Sequence, residues 1–241
     1  MERFELLIDL PAGGSRPLVI FDSRASQDIA ESVLKGKSYP HVPYIKNVDT
    51  IVDIGANVGT AAAWLSILYQ PRRVIAIEPA PEPFALLSIN AKQWPVITPF
   101  QIGLNDQKGE AKLHLSRVDS VTSSIHWSSL NTQATVPIEL EDAEHFLRQI
   151  GVDRIDILKI DTEGCERAIL GSIRSRLPGV RLIYVEYHSE EDRRWIDELL
   201  APTHILSRGH VMHEHRGELC YVSRVAATMA GMDNHKIRPL R

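Results

Sequence analysis

The chain has 241 residues, of which 44% are hydrophobic and 24% charged, with a formal net charge of −4 at pH 7. That length supports a substantial core, as one large domain or two small ones, and the composition is that of a soluble globular protein. Mild acidity argues against nucleic-acid binding through bulk electrostatics, and no apolar run reaches the roughly 20 residues that span a bilayer.

In chain order, the opening "MERFELLIDL" carries charges inside its apolar run and no small-residue cleavage pattern, so no signal peptide is expected. "FELLIDL" and "PLVIFD" flank the turn "PAGGSR", which predicts a hairpin over residues 4 to 22. "SQDIAESVLKG" spaces Ile29, Val33 and Leu34 as a helix does and stops at Gly36. "KSYPHVPYIKN" reads as a loop, so residues 1–45 are expected to form a hairpin-plus-helix extension. From residue 50 short apolar runs alternate with helical patterns: "TIVDIG", "TAAAWLSILY", "RRVIAIEP", "PEPFALLSINAK" and "VITPFQIGL", the last predicted as one strand. "EAKLHLS", "SSIHWSS" and "ATVPIEL" read as extra antiparallel strands. Then come "IDILKID", "CERAILGSIRS", "RLIYVEYH" and "SEEDRRWIDELL", where Ser189 opens a capping-box-like start and Arg193 with Arg194 reads as a solvated helix face. "THILSR" and "GELCYVSR" predict a terminal hairpin, and residues 228–241 a loose tail. Wholly apolar strands alternating with helices point to an α/β fold, a parallel sheet covered on both faces, over residues 46–227.

Ligands of such sheets bind at the carboxyl ends of the strands. There the chain carries Gly55-Ala56-Asn57-Val58-Gly59, a glycine-rich turn with asparagine where a dinucleotide fingerprint has its middle glycine. Gly55 permits the tight turn, Gly59 permits close packing of the next helix, and Asn57 hinders backbone approach to a pyrophosphate. Asp53 adds a negative charge that a phosphate disfavours and a cationic ligand welcomes. Glu78 ends the second core strand about 20 residues on, where a carboxylate matches two vicinal ribose hydroxyls. Together these residues describe an adenosine ligand without phosphate but with a cationic, amino-acid-like end, which S-adenosylmethionine fits. A dinucleotide-dependent oxidoreductase is the rival, disfavoured by Asn57 and Asp53.

"VDIGANVG", "AIEPAPEPFALLSIN", "IGLNDQKGEAKLHLS" and above all "KIDTEGCE" resemble, in order and spacing, the FkbM-type family of S-adenosylmethionine-dependent methyltransferases, from about residue 48 to about residue 188. The resemblance implies a Rossmann-like class I methyltransferase fold: a mostly parallel seven-stranded sheet with an antiparallel strand near one edge. It implies methylation of a hydroxyl on a small molecule such as a sugar or polyketide, with the N-terminal extension as an acceptor lid. By position, Asp53, Gly55, Asn57, Gly59 and Glu78 would line the cofactor, with Asn105 and Asp106 near the adenine; "GLND" also reads as a plain polar turn. Ser123 and Ser124 would reach the site by family position.

Methyl transfer to an alcohol needs alignment and removal of a proton. Asp161, Glu163, Glu186, Tyr187 and His188 end the fourth and fifth core strands, beside the expected methyl group. His188 is the candidate general base, or else a polar strand-end residue touching solvent. Asp161 is a candidate to orient that base, hold the acceptor or contact the cofactor; it also fits an N-cap, with Glu163 and Glu166 suiting the helix dipole. Lys159 is expected to pair with one of these acids. Asp161, Glu186 and His188 would also suit a divalent metal, ranked behind a metal-independent base. His210, His213 and His215 read as an exposed loop near the acceptor, Trp127 as core, and Cys165 as a small buried residue. Two widely spaced cysteines, Cys165 and Cys220, favour a reducing cytoplasm. A nitrogen or macromolecular acceptor, a catalytically silent binding module and a homo-oligomer stay open.

Overall fold

A computed structural model describes residues 2–116, 131–213 and 215–231. The N-terminal hairpin pairs β1 (Arg3–Asp9) with β2 (Ser15–Phe21), and α1 (Arg24–Leu34) follows, capped by the Ser23 hydroxyl accepting from the Ser26 N–H. Val33 is buried as its spacing predicts, whereas Ile29 stays half exposed. The α/β alternation then runs β3 (Thr50–Ile54), α2 (Thr60–Tyr69), β4 (Arg73–Ile77), α3 (Pro81–Gln93) and β5 (Ile97–Phe100). β3 and β4 are buried on both faces, which is why they read as unbroken apolar runs.

"VITPFQIGL" is not one strand. β5 stops at Phe100, and β6 (Gly103–Asn105) leaves the main sheet to pair in parallel with another strand, Gly103 opposite Leu140. β5 is the edge of its sheet, so Pro99, which has no N–H to donate outward, is tolerated there. β6 joins β7 (Gly109–Ser116) and β8 (Asn131–Asp142) in a three-stranded sheet of order β6–β8–β7. "EAKLHLS" and "ATVPIEL" are thus strands, and "SSIHWSS", with Ser123, Ser124 and Trp127, lies outside the described residues.

α4 (Ala143–Gln149) was not legible as a helix; two turns leave little periodicity to read, and its cap Asp142, accepting from the His145 N–H, is also the last residue of β8. The remainder is β9 (Ile157–Ile160), α5 (Glu166–Ser172), β10 (Leu182–Tyr187), α6 (Glu190–Leu200), β11 (His204–His213), β12 (Arg216–Ser223) and α7 (Arg224–Met229). Ser189 caps α6 by accepting from the Asp192 N–H, and Arg193 pairs with Glu190 and Asp197 on its solvated face. α7, also unanticipated, runs into the first two residues of the expected tail.

Among the described residues the main sheet has seven strands in the order β11–β12–β10–β9–β3–β4–β5. All neighbours are parallel except where β12 runs antiparallel to β10 and β11. This is the Rossmann-like arrangement expected, and the order reverses between β3 and β9, so the crevice opens at their carboxyl ends. No helix among the described residues is long and apolar enough to cross a membrane.

The N-terminal hairpin shares the main core: Leu18 and Ile20 are buried with Leu86 and Leu87 of α3. Asn90, fully buried on α3, fastens the two. Its Oδ1 accepts from the Val19 N–H at 2.7 Å, and its Nδ2 donates to the carbonyls of Val19 at 2.8 Å and Val58 at 2.7 Å. One amide therefore holds both the hairpin and the glycine-rich turn. Asn90→Ala is expected to lose about 3 kcal/mol of stability by leaving these groups unpaired. Urea unfolding measures this; a loss under about 0.5 kcal/mol would show that the amide is dispensable.

Candidate active site

The turn after β3 is built from left-handed backbone. Gly55 has φ +76°, and a Cβ there would stand 1.7 Å from the Asp161 carbonyl oxygen, so only glycine lets the turn lie against the chain leaving β9. Asn57 is also left-handed, with φ +51°, and its Oδ1 accepts from the Val58 N–H at 2.7 Å. Asparagine suits this position because its short polar side chain bonds local backbone in that conformation. Gly59 does not face the cavity; a Cβ there would meet Leu87 Cδ1 at 2.8 Å, so it seats α2 close to α3.

One N–H of the turn, that of Asn57, serves a carboxylate. Glu78 Oε2 accepts from the Asn57 N–H and Oε1 from the Ala80 N–H, each at 2.8 Å. Burial pushes Glu78 up to about 7 against the pull of these two donors.

Asp53 requires a correction. It is completely buried, does not line the cavity and pairs with Lys159 Nζ at 3.0 Å. Lys159 also donates to the Gly55 carbonyl and lies 3.8 Å from Asp161 Oδ2. Burial works against charge on Lys159, but Asp53 and Asp161 outweigh it and raise its pKa. The negative charge expected from Asp53 is therefore neutralised beneath the turn; the acids lining the cavity are Asp28, Glu78, Asp161, Glu163, Glu186 and Glu218.

The segment "DTEGCE" folds around Glu166, which is 1% exposed and accepts from the Thr162 N–H, the Thr162 hydroxyl and the Gly164 N–H. Asp161 is not the N-cap of α5, a place taken by Cys165. Its carboxylate instead accepts from the Tyr39 hydroxyl at 3.3 Å. Glu163, with φ +56°, accepts from Arg216 at 2.8 Å, and Arg216 also donates to Glu186.

His188 is placed among these acids: Nε2 lies 3.1 Å from Glu163 and 3.6 Å from Glu186, and Nδ1 lies 3.3 Å from Glu166. Burial lowers its pKa, but the pairs with Glu163 and Glu166 prevail and push it up to about 11. An imidazolium has no lone pair to accept a proton, so His188 does not suit the general-base role; it clamps the 161–166 segment to β10. Asp161, Glu186 and His188 have ligand atoms within 4.8 Å of one another, a set that could hold a divalent metal.

The crevice forms a cavity of about 510 Å³, within the range of small-molecule sites. Around Glu78 its walls are apolar, with Leu113, Ile138 and Leu140 of the three-stranded sheet packed on Ala80. Around Asp161 they are polar, with Tyr39, Glu186, Arg216 and Glu218. Ile102 and the first two residues of β6, Gly103 and Leu104, line it, whereas Asn105 and Asp106 fall beyond the lining. Cys165 is buried against the cavity, its thiol pushed up to about 12 by burial. His210 and His215 are exposed on the terminal hairpin. Sequence reasoning missed Tyr39, Arg216 and Asn90; the buried lysine between two acids was the one visible sign of an ion network.

Residues 53–220 match the family description "Methyltransferase FkbM domain". The chain is 25% identical over 183 residues to the hexuronic acid methyltransferase AglP of Haloferax volcanii, covering 76% of this chain and 70% of that one. It is likewise 25% identical over 192 residues to the 31-O-demethyl-FK506 methyltransferase FkbM of Streptomyces tacrolimicus, covering 67% and 72%. The crystal structure of methyltransferase FkbM from Methylobacillus flagellatus superposes with a TM-score of 0.54 at 16% identity, over 81% of this chain and 57% of that one, a likeness of fold. The match takes in the left-handed turn, Glu78 and the whole 159–166 segment, and the chain belongs to the FkbM family of S-adenosylmethionine-dependent methyltransferases.

Proposed function

We propose that this cavity binds S-adenosylmethionine and that the protein methylates a hydroxyl of a small molecule, a sugar or a polyketide-like acceptor. The observation that carries the reading is Glu78, held by the backbone of the left-handed turn at the mouth of an apolar slot. Each of its oxygens keeps a second acceptor site after bonding the backbone, enough for two ribose hydroxyls. Leu113, Ile138 and Leu140 suit an adenine face, and Gly55, Asn57 and Asp161 flank the path towards the polar end. Asp53 and Gly59 support this lining from beneath, and Asn105 and Asp106 border it. When bound, the cofactor supplies a methyl group on a sulfonium centre. A hydroxyl acceptor is in keeping with the relatives, one named for hexuronic acid and one for the 31-O position of demethyl-FK506.

The chain's own residues then align an alcohol and accept its proton. Asp161 and Glu186 are two of the acids at the polar end. Burial and the neighbouring Asp161 raise the proton affinity of Glu186 above that of a solvated carboxylate, which suits it to act as the base. Arg216 and protonated His188 keep the cluster from accumulating uncompensated charge.

Calorimetry with S-adenosylhomocysteine is expected to show binding, with none for NAD, and Glu78→Gln is expected to weaken it about 10- to 100-fold. Binding of NAD alone would reject the reading. The acceptor class is tested with labelled cofactor and a panel of methyl α-D-glucopyranoside, its uronate and its 2-amino analogue; label on the amino group only would reject a hydroxyl acceptor.

His188 gives a prediction in pH. Its folded value near 11 stands above the ordinary 6.5, so its ion pairs stabilise the fold fully below 6.5 and are lost as pH rises towards 11. The stability gap between wild type and His188→Ala is therefore expected to shrink from about pH 7 to about pH 10 in urea unfolding. A gap independent of pH would contradict the charged imidazole.

A further inference from the structure

Tyr39 lies in the N-terminal segment, before the residues that match the family. It is 8% exposed and has φ +55°, a conformation that costs a bulky side chain roughly 1 kcal/mol or more and persists only when its surroundings enforce it. Here they do so at three points. Trp64 Nε1 donates to the Tyr39 carbonyl at 3.2 Å, the Tyr184 hydroxyl donates to the Pro40 carbonyl, and the Val42 N–H donates to the Tyr69 hydroxyl at 2.9 Å. The Tyr39 ring also meets Tyr184 edge-on, with centroids 5.6 Å apart.

The strained backbone turns the side chain into the polar end of the cavity. Its hydroxyl donates to Asp161 Oδ2 at 3.3 Å, and Lys159 Nζ stands 5.8 Å from the ring centroid. Burial, then Asp161, Glu186 and Glu218, raise the phenol well above its ordinary value, so the oxygen keeps its proton and acts as donor. The phenol and the Lys159 ammonium, the latter at 3.8 Å, thus meet the same oxygen of Asp161, Oδ2. Its rotamer sets the direction in which the remaining lone pairs meet an acceptor hydroxyl.

We infer that Tyr39 is a positioning residue for methyl transfer, orienting the Asp161 carboxylate that receives the acceptor's hydroxyl. The inference rests on the methyltransferase reading above. It also gives the N-terminal segment a part in the reaction step as well as in covering the cavity.

Tyr39→Phe keeps the ring and its packing and removes only the donor. For the member of the methyl glucoside panel that wild type methylates fastest, kcat is expected to fall about 10- to 100-fold with KM nearly unchanged. The Kd for S-adenosylhomocysteine is expected to stay within about twofold. The 13Cγ resonance of Asp161, assigned by its disappearance in Asp161→Asn, is expected to move in Tyr39→Phe. An unmoved resonance or an unchanged kcat overturns the inference, as does cofactor binding that weakens in step with turnover. A wild-type protein that binds no S-adenosylhomocysteine defeats the underlying reading instead, so the two failures are distinct.

Discussion

Lys159 sits 2% exposed between two acids, and the site is arranged around it. The ammonium of β9 reaches across to Asp53 on β3 and to the Gly55 carbonyl that begins the turn, and it faces Asp161 where β9 ends. These two strands flank the point where strand order reverses, so one cation ties together both sides of the crevice. Removing it would leave Asp53 buried and uncompensated, a far larger penalty than the net worth of the pair. The same pairing explains why the turn tolerates an acid beneath it, while the Asn57 N–H of the turn holds the Glu78 carboxylate.

Around this cation the 159–166 segment has a division of labour. Lys159 fixes the strands, Asp161 faces the cavity, and Glu166 organises the loop by collecting its N–H groups. Glu163, on the far side, receives Arg216 and His188. Lys159, Arg216 and His188 are shared among these acids, which lets Asp53, Asp161, Glu163, Glu166 and Glu186 gather without repelling one another apart.

Much of this was legible in the sequence where a local rule forces it. Buried strands read as apolar runs, the capping box at Ser189 places α6, and the spacing from Gly55 to Glu78 brings turn and carboxylate together. What was not legible depends on contacts distant along the chain. Asp53 looked like a charge offered to a ligand because nothing near it in sequence reveals Lys159 above it. His188 looked like a base near neutral pH because its three carboxylate neighbours come from β10, the loop before α5 and the first residue of α5. Tyr39 lies 122 positions from Asp161, in a loop whose prolines concealed its strained backbone. The split of "VITPFQIGL" likewise needed the partner strand β8, more than 30 residues further on.

The central claim is that the carboxylate at the end of β4 receives the ribose of an adenosyl cofactor within the crevice between β3 and β9. A crystal structure with S-adenosylhomocysteine tests it most directly. The account predicts both Glu78 oxygens within hydrogen-bonding distance of the ribose hydroxyls, with the adenine against Leu113 and Ile138. Adenosine bound elsewhere, or a Glu78 carboxylate turned from the sugar, would contradict it.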